Sequence, residues 1–323
     1  MPAFDDPVFH DALFHQKRKH DKWCVVEAPA LEGPIADTHA HLHMLPDPPL
    51  SLARAAAHGV AFVCAVTDPS EDGEVVFDQM GEWCAAAPAA IAEICDAQPL
   101  PAVPHARIIA GCHPHNARLY TEALEAQLVR LLTDPRVCAV GEIGLDYHYD
   151  LSPREVQRTV FRRQIRLAKE VGLPVSLHVR EAHDDAFAIL SEEGFPEAGC
   201  LLHCFNLDAA EAARWVEAGC FFAFGGPVTF KKADEVREAA TLVPADRLLT
   251  ETDSPYMTPE PLRGAVCGPA HTVFTAARLA EVRGAAPGAD RAAFLAQLME
   301  NARALLDRAP TAWQHAQREG IAS

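Results

Sequence analysis

The sequence has little positive charge to offer a polyanion. Its 323 residues include 28 lysines and arginines against 45 aspartates and glutamates, which gives a formal net charge of −17. This balance excludes broad electrostatic adhesion to nucleic acid, because such adhesion depends on many lysine and arginine contacts to phosphate. If the substrate is a polyanion, bound cations must supply the local positive field.

Signals for export or membrane insertion are also missing. The N-terminus MPAFDDPVFH is acidic where a secretion signal begins with basic residues. No uninterrupted apolar run reaches membrane-spanning length. We therefore expect a cytoplasmic protein without a membrane segment, and nothing in the sequence points to an obligate protein partner.

The ten cysteines contain no CxxC pair and fall mostly inside apolar runs such as VAFVCAV, so we expect buried, reduced thiols. Cys200 and Cys204 bracket His203, which leaves a soft-metal role as the alternative. A nucleophilic Cys204 beside His203 is disfavoured, because adjacent residues of a strand face opposite ways. The GxSxG, Walker A and GxGxxG motifs are absent, which removes the enzyme classes built on them.

Short apolar runs alternate with longer amphipathic stretches, a pattern typical of repeated βα units around a parallel sheet. The predicted strands cover residues 35–41, 60–67, 107–113, 137–143, 174–179, 200–204, 220–224 and 247–252. The predicted helices cover residues 50–58, 75–95, 121–132, 153–171, 184–192, 208–217, 232–241 and the C-terminus from about 271. Eight such units predict an α/β fold, a single (β/α)8 TIM barrel.

No internal repeat and no Gly/Ser-rich linker divides the chain, so we predict one barrel domain over residues 35–323. Residues 1–34 are predicted to be an N-terminal extension. It is polar and rich in histidine and lysine between His15 and His20, and we expect it to pack on the barrel or to remain solvated.

Two histidines on the first predicted strand, His39 and His41, suggest a metal site. Side chains two residues apart on a strand point to the same face, so the two imidazoles can share an ion. An HxH pair is weak evidence alone. Further candidate ligands fall at the ends of other predicted strands: Glu142, His178, His203 and Asp253. A barrel gathers these ends around one mouth, which makes a common site more plausible than separate rim residues.

The mixture of imidazole and carboxylate suits Zn²⁺, Mn²⁺ or Mg²⁺, so the residues leave the identity of the metal open. A bridging carboxylate is the simplest way to hold two ions roughly 3.5 to 4 Å apart, as in two-metal hydrolases. Glu142, on a middle strand, is the best candidate for that bridge.

Several ordered segments carry a family resemblance. They include ADTHAHL, GCHPHNA, GEIGLDYHYD, LHVREAHDD, LHCFNLDAA, FGGPVTFK and LLTETDSPYMTPEPLRG. From about residue 35 to residue 307 the sequence resembles the TatD family of metal-dependent hydrolases, within the amidohydrolase-like group. The resemblance implies that one ion is held by His39, His41, Glu142 and Asp253. The second ion would be held by Glu142, His178 and His203.

The resemblance also implies roles for groups around the ions. Asp253 would orient or deprotonate the attacking water. Glu251 lies two residues before Asp253, hence on the same face, and is expected to support the ligands or to be a further ligand. His113 and Arg180 look like substrate-binding groups; the alternative is that they brace the mouth through hydrogen bonds or salt bridges.

The chain departs from the family pattern at Asn206-Leu207, where Ser-Gly is usual, and at Cys267, where Asn is usual. The segment 68–105 is longer than expected for the family and follows the second strand. It is either an elaborated helix or a feature that narrows the substrate groove.

The resemblance favours a deoxyribonuclease that hydrolyses phosphodiester bonds with a hydroxide bridging two divalent metal ions. It is expected to be a 3′-to-5′ exonuclease on single-stranded DNA. One alternative keeps the metals and attacks an amide or ester, such as a D-aminoacyl-tRNA. The other is a metal-binding scaffold without turnover, since a fold alone does not guarantee activity.

Overall fold

The computed structural model describes residues 7–18 and 22–321. Two short antiparallel strands, β1 (Phe14–Arg18) and β2 (Lys22–Val26), form a hairpin in the N-terminal arm. Phe14 anchors this hairpin to the barrel, because its buried ring lies 4.4 Å from the His58 ring and 4.9 Å from the Phe274 ring. Residues 1–6 and 19–21 of the predicted extension lie outside the described residues.

Eight parallel strands follow, each pairing with the next along the chain. They are β3 (Ile35–Ala40), β4 (Val60–Thr67), β5 (His105–Ala110), β6 (Val137–Asp146), β7 (Val175–Arg180), β8 (Cys200–Leu202), β9 (Phe221–Phe224) and β10 (Leu248–Thr250). The end of the first strand meets the segment that follows the last one: Ala40 bridges Ser254, and the amide of His41 donates to the Ser254 carbonyl at 2.8 Å. The predicted (β/α)8 barrel is confirmed.

Helices surround the strands: α1 (Pro48–Ala57), α2 (Pro69–Asp72), α3 (Val75–Ile94), α4 (Glu122–Leu131), α5 (Arg154–Val171), α6 (His183–Glu193), α7 (Ala209–Glu217), α8 (Asp234–Leu242), α9 (Thr272–Val282), α10 (Ala289–Leu306) and α11 (Ala312–Ile321). The strands have apolar residues on both faces because the helices cover the outer face and the barrel core fills the inner one. Strand β6 illustrates this, since all ten of its residues are buried. None of the helices in the described part of the chain is long and apolar enough to span a bilayer.

Helix α10 closes the amino-terminal end of the barrel. The side-chain amide of Asn301 donates to the carbonyls of Ala245 and Leu248 at the start of β10. Near the start of β5, Arg107 forms a salt bridge of 3.0 Å with Asp307, just after α10. The carboxyl ends of the strands remain as the open mouth, as in barrel enzymes.

The long segment after β4, residues 68–105, has two structurally different parts. Its beginning, α2, lies at the mouth, where Asp72 contacts His43 at 3.0 Å and Asp68 accepts a hydrogen bond from the His113 amide at 2.9 Å. The longer helix α3 buries Met80 and Trp83 in the core cluster that α1 shares. The start of the segment therefore borders the mouth, and it continues as the long helix α3 and a loop that leads to β5.

Candidate metal centre

Six side chains from five strands or strand ends meet at the mouth, with Glu142 in the middle. Its Oε1 atom lies 2.6 Å from Nδ1 of His178 and 2.8 Å from Nε2 of His203. Its Oε2 atom faces the other way, 3.3 Å from Nε2 of His39 and 3.8 Å from Nε2 of His41. Each carboxylate oxygen thus faces a different pair of imidazoles, which is the arrangement that a bridging ligand requires.

The glycines of the GEIG motif explain how Glu142 reaches this position. A Cβ atom on Gly141 would lie 2.7 Å from the Ser176 side chain, and one on Gly144 would lie 2.0 Å from the His178 carbonyl oxygen. Gly144 also has φ +144°, a conformation that other residues rarely adopt. The two glycines therefore let β6 pack closely against β7, which brings Glu142 beside His178.

Asp253 is the sixth side chain of the cluster. It follows β10, the last barrel strand, which closes the barrel against β3. Its Oδ1 atom lies 3.7 Å from Nε2 of His41 and 3.9 Å from Nε2 of His39. Its backbone has φ +58°, and its amide donates to the His39 carbonyl at 2.9 Å. Positive φ values in non-glycine residues concentrate at functional sites. The other described examples also follow barrel strands: Asp150, Glu181, Cys204 and Met257.

Two buried carboxylates form contacts with the residues that surround this cluster. Asp37 accepts hydrogen bonds from the amide and hydroxyl of Thr252, at 2.9 and 2.6 Å, and so ties β3 to the segment that carries Asp253. Glu251 accepts from the Cys204 amide and lies 3.6 Å from Nδ1 of His203. Glu251 therefore lies against His203, close enough to His39 and His203 either to support these residues or to bind an ion with them.

The donor set fits divalent cations. Both ring nitrogens of His39, Nδ1 of His203 and Oε2 of Glu251 are buried without a hydrogen-bond partner among the described residues. An unpaired buried polar atom costs about 1–3 kcal/mol, so such atoms need an explanation. Neutral imidazoles and carboxylates around one small space are typical ligands of Zn²⁺ or Mn²⁺. An ion bound there would satisfy several of these atoms together.

The electrostatics of the cluster point the same way. Burial lowers the pKa of His39 to about 4 and that of His41 to about 3, so both imidazoles are neutral and able to bind an ion at pH 7. Although burial opposes its ionisation, the nearby His203, among other histidines, holds the pKa of Glu142 well below its usual range. Burial raises the pKa of Asp253 to about 7, with Glu142 contributing. The carboxylates thus crowd negative charge into a buried site, which favours a cation.

The two residues expected to bind substrate, His113 and Arg180, lie at different distances from the ligand cluster. His113 lies within the cluster, with Nε2 3.4 Å from Oε1 of Glu142 and its ring centroid 4.4 Å from that of His178. Arg180 lies further out, with its guanidinium 4.7 Å from the centroid of the Tyr149 ring. Arg180 therefore remains available to a ligand at the mouth, whereas His113 borders the candidate metal ligands themselves.

Asp146 is a supporting residue that the sequence analysis missed. It is fully buried, and its Oδ2 atom lies 3.0 Å from Nε2 of His178 and 2.9 Å from Nε2 of His115. Because Nε2 of His178 faces Asp146, Nδ1 is left to face Glu142 and an ion. The signal was present in GEIGLD, since Glu142 and Asp146 are four residues apart and share a face of β6.

Replacing Asp146 by Asn should weaken metal binding about 10- to 100-fold, the usual effect of losing a group that orients a ligand. The amide oxygen can still accept from the His148 and Tyr149 backbone, as Oδ1 does now, but the amide nitrogen cannot accept from His178. Metal titration of the apoprotein measures the effect. Asp185→Asn is the matched control, because Asp185 bonds Tyr147 outside the cluster. Wild-type affinity in folded Asp146→Asn would show that Asp146 does not orient the ligand.

The thiols take no part in this arrangement. All ten cysteines are free, and six are buried. Burial and then the neighbouring Asp253 raise the pKa of Cys204 well above its usual range, so the thiolate needed for nucleophilic attack or metal binding is disfavoured.

Comparison with known proteins places this chain in a family. The family described as TatD related DNase matches residues 36–307. The chain belongs to the TatD family of metal-dependent hydrolases. The TatD protein of Mycobacterium tuberculosis, named an uncharacterized metal-dependent hydrolase, is 38% identical over 258 residues, which are 77% of this chain and 90% of that protein.

Two further TatD relatives are informative. A protein of Erwinia billingiae named 3′-5′ ssDNA/RNA exonuclease TatD is 40% identical over 155 residues, which are 48% of this chain and 59% of that protein. The crystal structure of the TatD homologue YjjV from Escherichia coli is 28% identical, with a TM-score of 0.72, and covers 85% of this chain and 98% of that chain. The TatD fold thus extends over nearly the whole of the barrel.

Proposed function

We propose that this TatD-family chain hydrolyses phosphodiester bonds in single-stranded nucleic acid, DNA above all, as a 3′-to-5′ exonuclease with two divalent metal ions. The observation that carries the proposal is the position of Glu142, whose two oxygens face separate histidine pairs. The name of the Erwinia billingiae relative supports the substrate class. Mg²⁺, Mn²⁺ and Zn²⁺ are the candidate ions.

His39, His41, Glu142 and Asp253 would hold one ion, and Glu142, His178 and His203 the other. Ions held there would lower the pKa of water and offset the charge that develops on phosphoryl oxygens. A cationic centre also explains how a chain of net charge −17 can attract a polyanion.

The side chains of this protein supply the remaining chemistry. Asp253 lies at the mouth with 14% of its side chain exposed, so it can orient the attacking water and accept its proton. The guanidinium of Arg180 can donate two hydrogen bonds to phosphate oxygens. Asp146, Asp37 and Glu251 hold the ligands in place, so the cluster needs little rearrangement during the reaction.

We also infer that residues 1–34 are an arm added to the barrel domain 35–323. The family match begins at residue 36, and the Phe14 anchor of the hairpin supports a packing role for the arm.

A substrate panel tests the proposal. Protein reconstituted with Mn²⁺, Mg²⁺ or Zn²⁺ is incubated with single-stranded DNA, RNA, an abasic duplex and a D-aminoacyl-tRNA, with Glu142→Gln as the inactive control. We expect shortening of single-stranded DNA from its 3′ end, dependent on added metal and absent in Glu142→Gln. Release of the amino acid with the DNA intact would favour the carboxyl-ester alternative. Metal binding without turnover of any substrate would favour a scaffold.

A further inference from the structure

Two exposed aromatic side chains flank the candidate metal centre and keep their hydroxyls free of hydrogen bonds to the described residues. The chain has four tyrosines. Tyr120 is buried, and the hydroxyl of Tyr147 bonds Asp185 at 2.6 Å. Tyr149 and Tyr256 are instead 54% and 44% exposed, and neither hydroxyl has a hydrogen-bond partner among the described residues.

Both exposed tyrosines lie at the mouth and on opposite sides of it. Tyr149 follows β6, the fourth barrel strand, and its ring centroid is 5.4 Å from that of His115. Tyr256 follows β10, the eighth strand, and its ring centroid is 6.4 Å from that of His41. The fourth and eighth strands of an eight-stranded barrel face each other, so the ligand cluster lies between the two rings.

The backbone holds each ring near the ligands. The Tyr149 amide donates to Asp146 at 2.8 Å, and Asp146 also contacts His178. The Tyr256 amide donates to the carbonyl of Asp253 at 2.8 Å. Tyr149 is therefore held by Asp146, which orients a proposed ligand, and Tyr256 by Asp253, which is itself a proposed ligand. These hydrogen bonds set the position of each ring relative to the reacting centre.

The surroundings of Tyr149 suit one class of ligand. Arg180 lies over the Tyr149 ring, with its guanidinium 4.7 Å from the ring centroid, and can bind phosphate there, while the ring remains 54% exposed. Aromatic rings next to cationic groups bind single-stranded nucleic acid, because any nucleobase can stack on the ring while its phosphate is neutralised. A phosphodiester without bases would have no use for exposed rings in these positions.

Resting on the proposed function, we propose that Tyr149 and Tyr256 each stack on a nucleobase, on the two sides of the phosphate that occupies the metal centre. The two rings thereby make the site specific for unpaired nucleotides. Bases in a duplex are already stacked on their neighbours and must leave the helix before they can reach such rings. The preference for single strands then resides in these two side chains, and the metal ions act on any phosphodiester brought to them.

The test compares an oligonucleotide that carries all its bases with one that lacks bases at its 3′ end. A single-stranded oligonucleotide and the same oligonucleotide with base-free tetrahydrofuran residues at its last two 3′ positions are digested by metal-loaded wild type, Tyr149→Leu and Tyr256→Leu. Each leucine variant should raise KM for the normal oligonucleotide about 5- to 150-fold, the loss expected for one stacked base. On the base-free oligonucleotide, the variants should differ from wild type by less than about 2-fold, because no base is there to stack.

The variants Tyr149→Phe and Tyr256→Phe keep the ring and should keep the wild-type KM. Leu151→Ala removes an exposed apolar side chain from the same loop as Tyr149 and serves as the control. Equal metal content and thermal unfolding midpoints show that the variants are folded. Wild-type KM in both leucine variants, or an equal loss on both oligonucleotides, would overturn the stacking role. If wild-type protein cleaved no nucleic acid, the proposed function would itself be wrong.

Discussion

Replacing Glu142 by Gln should remove most bound metal and reduce kcat/KM by at least about 10³-fold, the largest effect of any single change in the protein. The carboxylate is the only group whose two oxygens face both histidine pairs in the described cluster, 2.6–2.8 Å from one pair and 3.3–3.8 Å from the other. An amide presents one oxygen and one NH₂ group, so one side of the site would meet donors in place of an acceptor. Losing several kcal/mol of charge stabilisation corresponds to this factor, at about 1.4 kcal/mol per tenfold.

Metal content by elemental analysis and steady-state kinetics on single-stranded DNA measure the two effects. Glu71→Gln is the matched control, because Glu71 also lies at the mouth but bonds Asn116 outside the ligand cluster. A Glu142→Gln protein that kept a full complement of metal and wild-type turnover would show that Glu142 is not a ligand.

Replacing Asp253 by Asn should reduce kcat by about 10² to 10⁴-fold while leaving the fold intact, because a general base contributes about that much. Asparagine has the same shape and tolerates positive φ values, so the +58° backbone conformation at this position is preserved. The amide cannot accept a proton from water. Single-turnover rates at saturating metal separate this loss from any weakening of metal binding, since Asp253 also lies 3.7 Å from the proposed ligand His41.

The control for this change is Asp150→Asn, which makes the same substitution at another positive-φ position after a barrel strand, where Asp150 pairs with Arg154. It should retain wild-type kcat. Near-wild-type turnover in metal-loaded Asp253→Asn would remove Asp253 from the proton-transfer step.

The sequence predicted the barrel well because each strand combines a short apolar run with a clear boundary. All eight predicted strands overlap the observed ones, although β3 ends at Ala40, one residue before His41. His41 keeps its place through the backbone hydrogen bond to Ser254, a contact between the first and last strands that local sequence does not reveal. Likewise, β1 and β2 have only five residues each, and tertiary packing of Phe14 holds them in place.

The candidate site was predictable to the extent that strand ends share one mouth. That rule brings the six proposed ligands together, but it does not show which groups support them. Asp37 and Asp146 act through hydrogen bonds to partners far along the chain or on the neighbouring strand, such as Thr252 and His178. The inward position of His113 likewise depends on side-chain packing that residue spacing does not encode.

The contact between β3, the first barrel strand, and the segment after β10, the last one, determines when the site becomes complete during synthesis. His39 and Asp253 are separated by more than 200 residues, yet the Asp253 amide bonds the His39 carbonyl across the closed barrel. A ribosome adding about 5–20 residues per second delivers the two residues about 10–40 s apart. On the ligand assignment proposed above, the nascent chain carries the histidines but lacks the last carboxylate during that interval. The proposed four-ligand half of the site would therefore be complete only after residue 253 has left the ribosome and the barrel has closed.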